Sequence, residues 1–402
     1  MGSKKMKIGV VFDGDLQVGG GFQYQKTILN LIKNLKDKYE FVVFTFSPEN
    51  EKYLRTIEFK TIILKRKILD EIKRLTLRLD IFSFLLLLPK VNLVCDFEKH
   101  LEQENIDLVY FLQPSGLALD LLKHNYIITV WDLCHRDYPE FPEVNFNREF
   151  ERREFFYTRA LKKAVAIISD SETGKNNIIR RYGIDPNRVY VLPFLPSTNI
   201  CTKNDINVKE KYGITTEYYI YYPAQFWAHK NHVYIIDSIA LLKNKGIYLT
   251  AVFSGSDKGN LNHVLEYAKK KGVIDLIKYI GFVPEEDIYS LYKNALALVM
   301  PTYFGPTNIP PLEAFAIGTP VIYPDLPGLK EQVGDAALLV DLKNPKILAT
   351  HLENLMNSEK LRQELIEKGK KRLVEINSVD RVSVLESIFL DYEVKMKCWK
   401  IK

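Results

Sequence analysis

The sequence has little that would staple or anchor it. Its 402 residues hold four cysteines, Cys95, Cys134, Cys201 and Cys398, far apart and with no CxxC pair or cysteine–histidine cluster. That excludes a disulfide framework and a structural zinc site, and suits a reducing compartment. The longest apolar stretch, IFSFLLLLP at 81–89, is nine residues, against the roughly 20 that a membrane-spanning helix needs. The opening MGSKKMKIGVVF passes straight into a strand-like run, without the apolar core and small-residue cleavage site of a secretory leader. A cytoplasmic location is expected. Net charge is a mild +6, and no stripe of Arg and Lys interleaves with aromatics, so nucleic acid is not an expected partner. The dinucleotide fingerprint GxGxxG is also missing.

What is present is a long series of apolar, β-branched runs. A chain of this length holds two or three domains, and 47% hydrophobic with 26% charged residues is ordinary for a globular protein. KIGVVFD, FVVFTF, DLVYFL, YIITVWD, AVAIISDS and RVYVLPF follow one another at spacings that leave room for helices. Near-continuous apolarity marks strands buried on both faces, hence parallel sheets flanked by helices. After a polar, turn-rich linker at 193–212 the pattern starts again with YYIYYPA, YLTAVFSG, IKYIGFV, ALVMP, TPVIYPD and ALLVD. The expected class is α/β, two Rossmann-like doubly wound domains at 1–195 and 213–380. A helix at 381–402 is expected to pack back on the first domain.

Ligands of open parallel sheets bind at the carboxyl ends of strands, and chemistry-bearing residues cluster there. After the first run, Gly19, Gly20 and Gly21 precede a helical stretch, where backbone can approach an anion. Asp13 and Asp15 nearby look like a DxD clamp, but turn chemistry is the simpler reading, and no metal is expected. After YIITV come Asp132, His135, Arg136 and Asp137, able to position or move the proton of a sugar hydroxyl; the plain alternative is an N-cap and surface loop. After YYIYYP come Gln225, His229, Lys230 and His232. Lys230, beside a helix start, is placed to meet a phosphate as a point charge. Gly255 opens a turn, and the backbone of Phe282 and Val283 would border a flat base.

Glu313 is the one charged residue between Met300 and Val321. It follows a stiff FGPTNIPP loop in which backbone N–H groups of Thr307, Asn308 and Ile309 would face an anion or sugar. Buried unpaired, its carboxylate would be expensive; two ribose hydroxyls would satisfy it, or else the helix N-terminus alone.

Taken together these residues resemble the retaining GT-B glycosyltransferases of glycosyltransferase family 4, most strongly over 218–341 and in PLEAFAIGTPVI. The resemblance implies two Rossmann-like domains with a cleft between them. It also implies a hexosyltransferase that needs no metal or cofactor and takes a nucleotide-diphosphate sugar as co-substrate. Glu313 would bind the nucleotide ribose, Lys230 the diphosphate, and Gly19, Gly20 and Gly21 would lie near the donor phosphates and acceptor. Asp132, His135 and Lys230 are the candidate catalytic residues. The acceptor would be a saccharide or lipid-linked saccharide of cell-surface polysaccharide biosynthesis. Three positions depart from the family pattern. Gly305 stands where a glutamate usually contacts the sugar, Gln225 where an arginine shares the diphosphate charge, and Trp131-Asp132 where His-Asp is usual. A nucleotide-sugar epimerase of the same plan and a non-catalytic sugar-nucleotide binder stay open as alternatives.

One further stretch stands out. Over 60–78 seven basic residues (Lys60, Lys65, Arg66, Lys67, Lys73, Arg74, Arg78) meet two acids (Asp70, Glu71), a surplus of five, with Ile63, Leu64, Ile68, Leu69, Ile72, Leu75 and Leu77 near helical spacing. Residues 60–88 therefore read as a basic amphipathic helix and an apolar run that touch the inner membrane surface peripherally. An ordinary helix covering the sheet with its apolar face is the competing reading.

Overall fold

Parallel strands buried on both faces need apolar side chains at nearly every position, and the runs above supply them. They form the strands of the computed structural model, which describes residues 5–13, 19–65, 67–78, 94–197, 200 and 206–399. The chain divides into two compact units. One comprises Met1–Leu133, Glu151–Leu192 and Asp380–Lys402; the other Cys134–Phe150 and Pro193–Val379. No helix among the described residues is long and apolar enough to cross a membrane.

The first unit is built on β1 (Lys7–Val11), β2 (Glu40–Thr45), β3 (Lys60–Ile63), β4 (Leu108–Phe111), β5 (Tyr126–Val130), β6 (Ala166–Ser169) and β7 (Val189–Val191). These seven strands run in the order β3-β2-β1-β4-β5-β6-β7, all parallel. The order reverses at β1, where Ile8 is aligned with Phe41 on one side and Leu108 on the other. Val11, Phe44, Phe111, Ile128 and Ile167 form the centre of one face's core.

Strand β3 corrects the sequence reading, which runs a single helix from Lys60. Residues 60–63 instead pair with β2, from Val42↔Lys60 to Thr45↔Ile63, and the helix begins only at Ile68 (Ile68–Arg78). Thr61, Ile62 and Ile63 are all β-branched, and the open edge of β2 offers them backbone partners, so pairing wins over amphipathic spacing.

The last helix, Arg381–Met396, belongs to this unit. Phe389 is fully buried, its ring 5.4 Å from Tyr39 and 6.2 Å from Phe41, a burial that contributes about 2–3 kcal/mol. Tyr392 donates to the carbonyl of Asp107 at 3.0 Å and accepts from Asn125 at 3.1 Å. Its hydroxyl is thereby satisfied where the helix meets the loops that lead into β4 and β5.

The second unit holds β8 (Tyr219–Pro223), β9 (Thr250–Ser254), β10 (Ile277–Tyr279), β11 (Ala297–Val299), β12 (Val321–Pro324) and β13 (Ala337–Val340). These six parallel strands are ordered β10-β9-β8-β11-β12-β13. Here the reversal lies between β9 and β11 around β8, and the loops after β8 and β11 leave the sheet side by side. Segment Cys134–Phe150 packs in this unit although β5 and β6 flank it in sequence.

Candidate functional site

At the reversal of the second sheet, the loop after β8 makes a 3-10 turn, Ala228–Lys230, closed by Asn231 in the left-handed conformation (φ 56°), and the helix His232–Asn244 follows. Lys230 is thus held two residues before a helix start. Its carbonyl accepts the buried Tyr222 hydroxyl at 2.9 Å. Its ammonium donates to Asn308 Oδ1, from the loop after β11, at 3.4 Å. The neighbouring basic side chains are committed elsewhere. His229 is buried against Glu143. His232 is fully buried, its ring 4.3 Å from that of Phe226, and burial lowers its pKa to about 3, so it is neutral. Gln225 accepts from Trp227 Nε1 at 3.0 Å. Lys230, bonded to Asn308, places a positive charge beside this helix start.

The loop after β11 ends at Asn308, N-cap of the helix Ile309–Ile317, with prolines in its first turn. Of the expected anion cradle, the Asn308 groups are bonded within the protein. The Asn308 N–H donates to Gln332 Oε1 at 3.0 Å, its Nδ2 to Tyr323 at 2.7 Å, and its carbonyl accepts Gln332 Nε2 at 2.6 Å. Thr307 has interactions within the protein as well. A side-chain network takes up the polar groups of Asn308 at this cap, and Ile309 next to it is buried.

The Glu313 carboxylate has protein partners. Ser197 donates to Oε1 at 2.5 Å and Tyr292 to Oε2 at 2.9 Å. Desolvation still raises its pKa above the ordinary value despite these donors. The side chain nevertheless keeps partial exposure. Eight positions earlier, Gly305 accepts from Cys134 Sγ at 3.1 Å, and a Cβ there would come within 2.8 Å of Leu329.

Gly255, after β9, has φ +129°, and a Cβ on it would lie 2.5 Å from the carbonyl oxygen of Ala224. Its N–H donates to the Gly281 carbonyl at 2.8 Å, which joins the ends of β9 and β10. Phe282 is 78% exposed while Val283 is buried. A bare aromatic ring, more than its backbone, therefore borders this end of the sheet.

In the first unit, Gly19, Gly20 and Gly21 are not a loop before a helix but the first turn of the helix Gly19–Lys33. Gly21 is required by packing: a Cβ there would sit 2.7 Å from the Trp131 ring. Four residues on, buried Gln25 spans the sheet reversal. It accepts the Asp13 N–H at 3.3 Å and donates to the Gly21 carbonyl at 3.4 Å and to Gln113 at 3.1 Å. Asp15 lies outside the described residues, among which no group of three or more His, Cys, Asp or Glu is arranged to hold a metal. Asp132 accepts from Arg153 at 3.1 Å. His135, fully buried and edge-on to Phe150 at 5.6 Å, is assigned to the second unit and Asp132 to the first.

Ser197, Tyr292, Gln25, Gln332 and Glu143 escaped the sequence reading. Gln25 alone had a local signal, an uncharged polar residue one turn after the glycines on the inner face of a helix.

Two doubly wound parallel sheets in one chain, each reversing at its own first strand, are the GT-B architecture. The solved structure of the Anabaena protein HepE in complex with UDP-glucose is similar, with a TM-score of 0.67 at 15% identity over 98% of this chain and 100% of that one. The model of Glycosyltransferase Family 4 matches residues 24–194, and that of Glycosyl transferases group 1 matches residues 204–372. The chain belongs to the GT-B glycosyltransferases of the family 4 type. It is 24% identical to O-antigen chain mannosyltransferase B of Escherichia coli over 51% of this chain and 55% of that one. It is 30% identical to O-antigen chain mannosyltransferase RfbU of Salmonella typhimurium over 58% and 62%. It thus spans little more than half the length of these curated relatives.

Proposed function

We propose that the protein transfers a hexose from a nucleotide-diphosphate donor, with retention of anomeric configuration, to a saccharide or lipid-linked saccharide acceptor in cell-surface polysaccharide biosynthesis. The observation that carries this reading is the meeting of Lys230 and Asn308 at the reversal of the second sheet, one helix turn from the Glu313 carboxylate. The naming of two relatives as O-antigen chain mannosyltransferases and the UDP-glucose bound to the Anabaena protein support the acceptor class and the donor class respectively.

In the reaction the bond between the anomeric carbon and the diphosphate oxygen breaks and the diphosphate leaves with the electron pair. The acceptor hydroxyl forms the new bond and its proton passes to the Asp132 carboxylate. Charge grows on the diphosphate, where preorganised positive charge lowers the barrier most. Lys230 supplies a full charge, and the start of the helix His232–Asn244 supplies a dipole. Glu313 takes the ribose hydroxyls, with Ser197 or Tyr292 yielding a place on its oxygens. Asp132, oriented by Arg153, receives the acceptor hydroxyl. The scheme needs no divalent metal. The expected location is cytoplasmic, with peripheral contact at the inner membrane face. That contact is supported by Ile68, Leu69 and Ile72, which are 86%, 63% and 59% exposed instead of covering the sheet.

The test is incubation with a panel of nucleotide sugars, with and without saccharide acceptors, followed by product analysis. Transfer that requires acceptor and releases nucleoside diphosphate is expected. Isomerised donor in the absence of acceptor would replace this reading with an epimerase, and donor unaltered under every condition would replace it with a binding protein.

A further inference from the structure

Glu143 has no role in the scheme above, yet it is built into the loop that carries Lys230. It lies in the one-turn helix Pro142–Asn145, with 7% of its side chain exposed. Oε1 accepts the backbone N–H of His229 at 2.8 Å and pairs with Nδ1 of the same residue. Oε2 is buried without a hydrogen-bond partner. Burial pushes this carboxyl up, but the ring and backbone donors of His229 outweigh it and hold it below the usual carboxylate value. The carboxylate is therefore ionised, and Nδ1 carries the proton between them.

His229 in turn lies flat on Phe304, with ring centroids 3.9 Å apart and planes within 7°. Its carbonyl accepts the Tyr303 N–H at 2.9 Å. One imidazole thus joins three segments: the helix bearing Glu143, the turn after β8 and the loop after β11. Lys230 is the next residue, and its own carbonyl is pinned by Tyr222. A buried charged pair is a costly way to hold a loop, because desolvation offsets most of the attraction. What it adds over an apolar contact is direction, since one carboxylate oxygen grips both the backbone and the ring of a single residue.

We propose that Glu143 is a positioning residue for the diphosphate contact: through His229 it fixes the turn Ala228–Lys230 so that the Lys230 ammonium meets the second phosphate of a nucleoside diphosphate. The inference rests on the donor reading given above. Misplacement of a contacting group by about 1 Å is enough to lose up to a hundredfold in such a site.

Titration calorimetry with UMP, UDP, GMP and GDP separates the two ideas. In the wild type the better base should bind more tightly as diphosphate than as monophosphate, and Lys230→Ala should erase that difference; if the wild type shows none, the donor reading falls and this proposal with it. Given the difference, Glu143→Ala should shrink it roughly tenfold, as loss of groups that orient a ligating side chain typically does, with monophosphate affinity unchanged. Glu143→Gln, which keeps an acceptor for the His229 N–H, should recover part of it. An equal loss for both nucleotides, or an undiminished difference in a folded Glu143→Ala, would overturn the proposal. Should Glu143→Ala not fold, the same ratio measured on Glu143→Gln and Glu143→Asp decides it, and a wild-type ratio in both would refute the positioning role.

Discussion

Glu313 combines two roles that pull in opposite directions. Its folded pKa lies above the ordinary 4.5, with desolvation as the main cause. Folding therefore favours its protonated form, and its contribution to stability is fully present below about pH 4.5 and is lost as pH rises through the folded pKa. Glu313→Gln keeps the shape and removes the ionisation. The melting temperature of the variant should therefore gain on that of the wild type as pH is raised from 4.5 to 8, and parallel curves would refute the assignment. The same variant should bind the nucleotide donor about ten- to hundredfold less tightly, the loss expected of charge-assisted hydrogen bonds. Gly255→Ala makes a second residue-scale test. At φ +129° with the Ala224 carbonyl 2.5 Å from the new Cβ, it should lose at least about 1–3 kcal/mol in denaturant unfolding from backbone strain alone. The helix position of Glu313 and the strand-end position of Lys230 were legible in the sequence because each is a charge in an apolar or strand-end setting. Their companions were not, because Ser197 is 116 residues from Glu313 and Glu143 is 86 from His229, and no local pattern encodes such a meeting.

At the scale of elements, the segment over 60–78 shows what periodicity leaves out. Its apolar spacing was visible, but not that Lys60–Ile63 would pair as an edge strand or that the helix would turn Ile68, Leu69 and Ile72 outward. Nor could charge counting show where the cations go. Lys67 pairs with Asp96, Lys73 donates to the Val94 carbonyl, and Arg74 is gripped by Asp120 and Glu71. Arg66 and the apolar run at 81–88 lie outside the described residues. With those cations committed to protein partners, membrane contact should depend mainly on the apolar triad. Replacing Ile68, Leu69 and Ile72 together by serine should abolish co-sedimentation with anionic vesicles, each exposed side chain giving up about 1.5–3 kcal/mol of burial in lipid. Folding stability should stay unchanged or rise. If the wild type itself stays in the supernatant at low salt, the helix has no membrane role.

At the scale of the molecule, the doubly wound plan was readable because continuous β-branched runs at helix-length spacing admit few other folds. Membership of Cys134–Phe150 in the second unit was not, since nothing in its composition distinguishes it from the chain on either side. That division bears on how the work is shared. Lys230 and Glu313 stand in the second unit and Asp132 in the first, so binding of the nucleotide and delivery of the acceptor hydroxyl should fail independently. A saturating nucleoside diphosphate, at a hundred times its dissociation constant, should stabilise the protein by about 2.7 kcal/mol. Lys230→Ala should remove that stabilisation and turnover together. Asp132→Asn should keep the stabilisation while kcat falls by about 10²–10⁴-fold, the range of a lost proton-handling group. Both the stabilisation and the turnover of the wild type should survive EDTA. A nucleotide effect lost in Asp132→Asn would mean that the donor is held by the first unit, and the assignment of roles to the two sheets would have to be reversed.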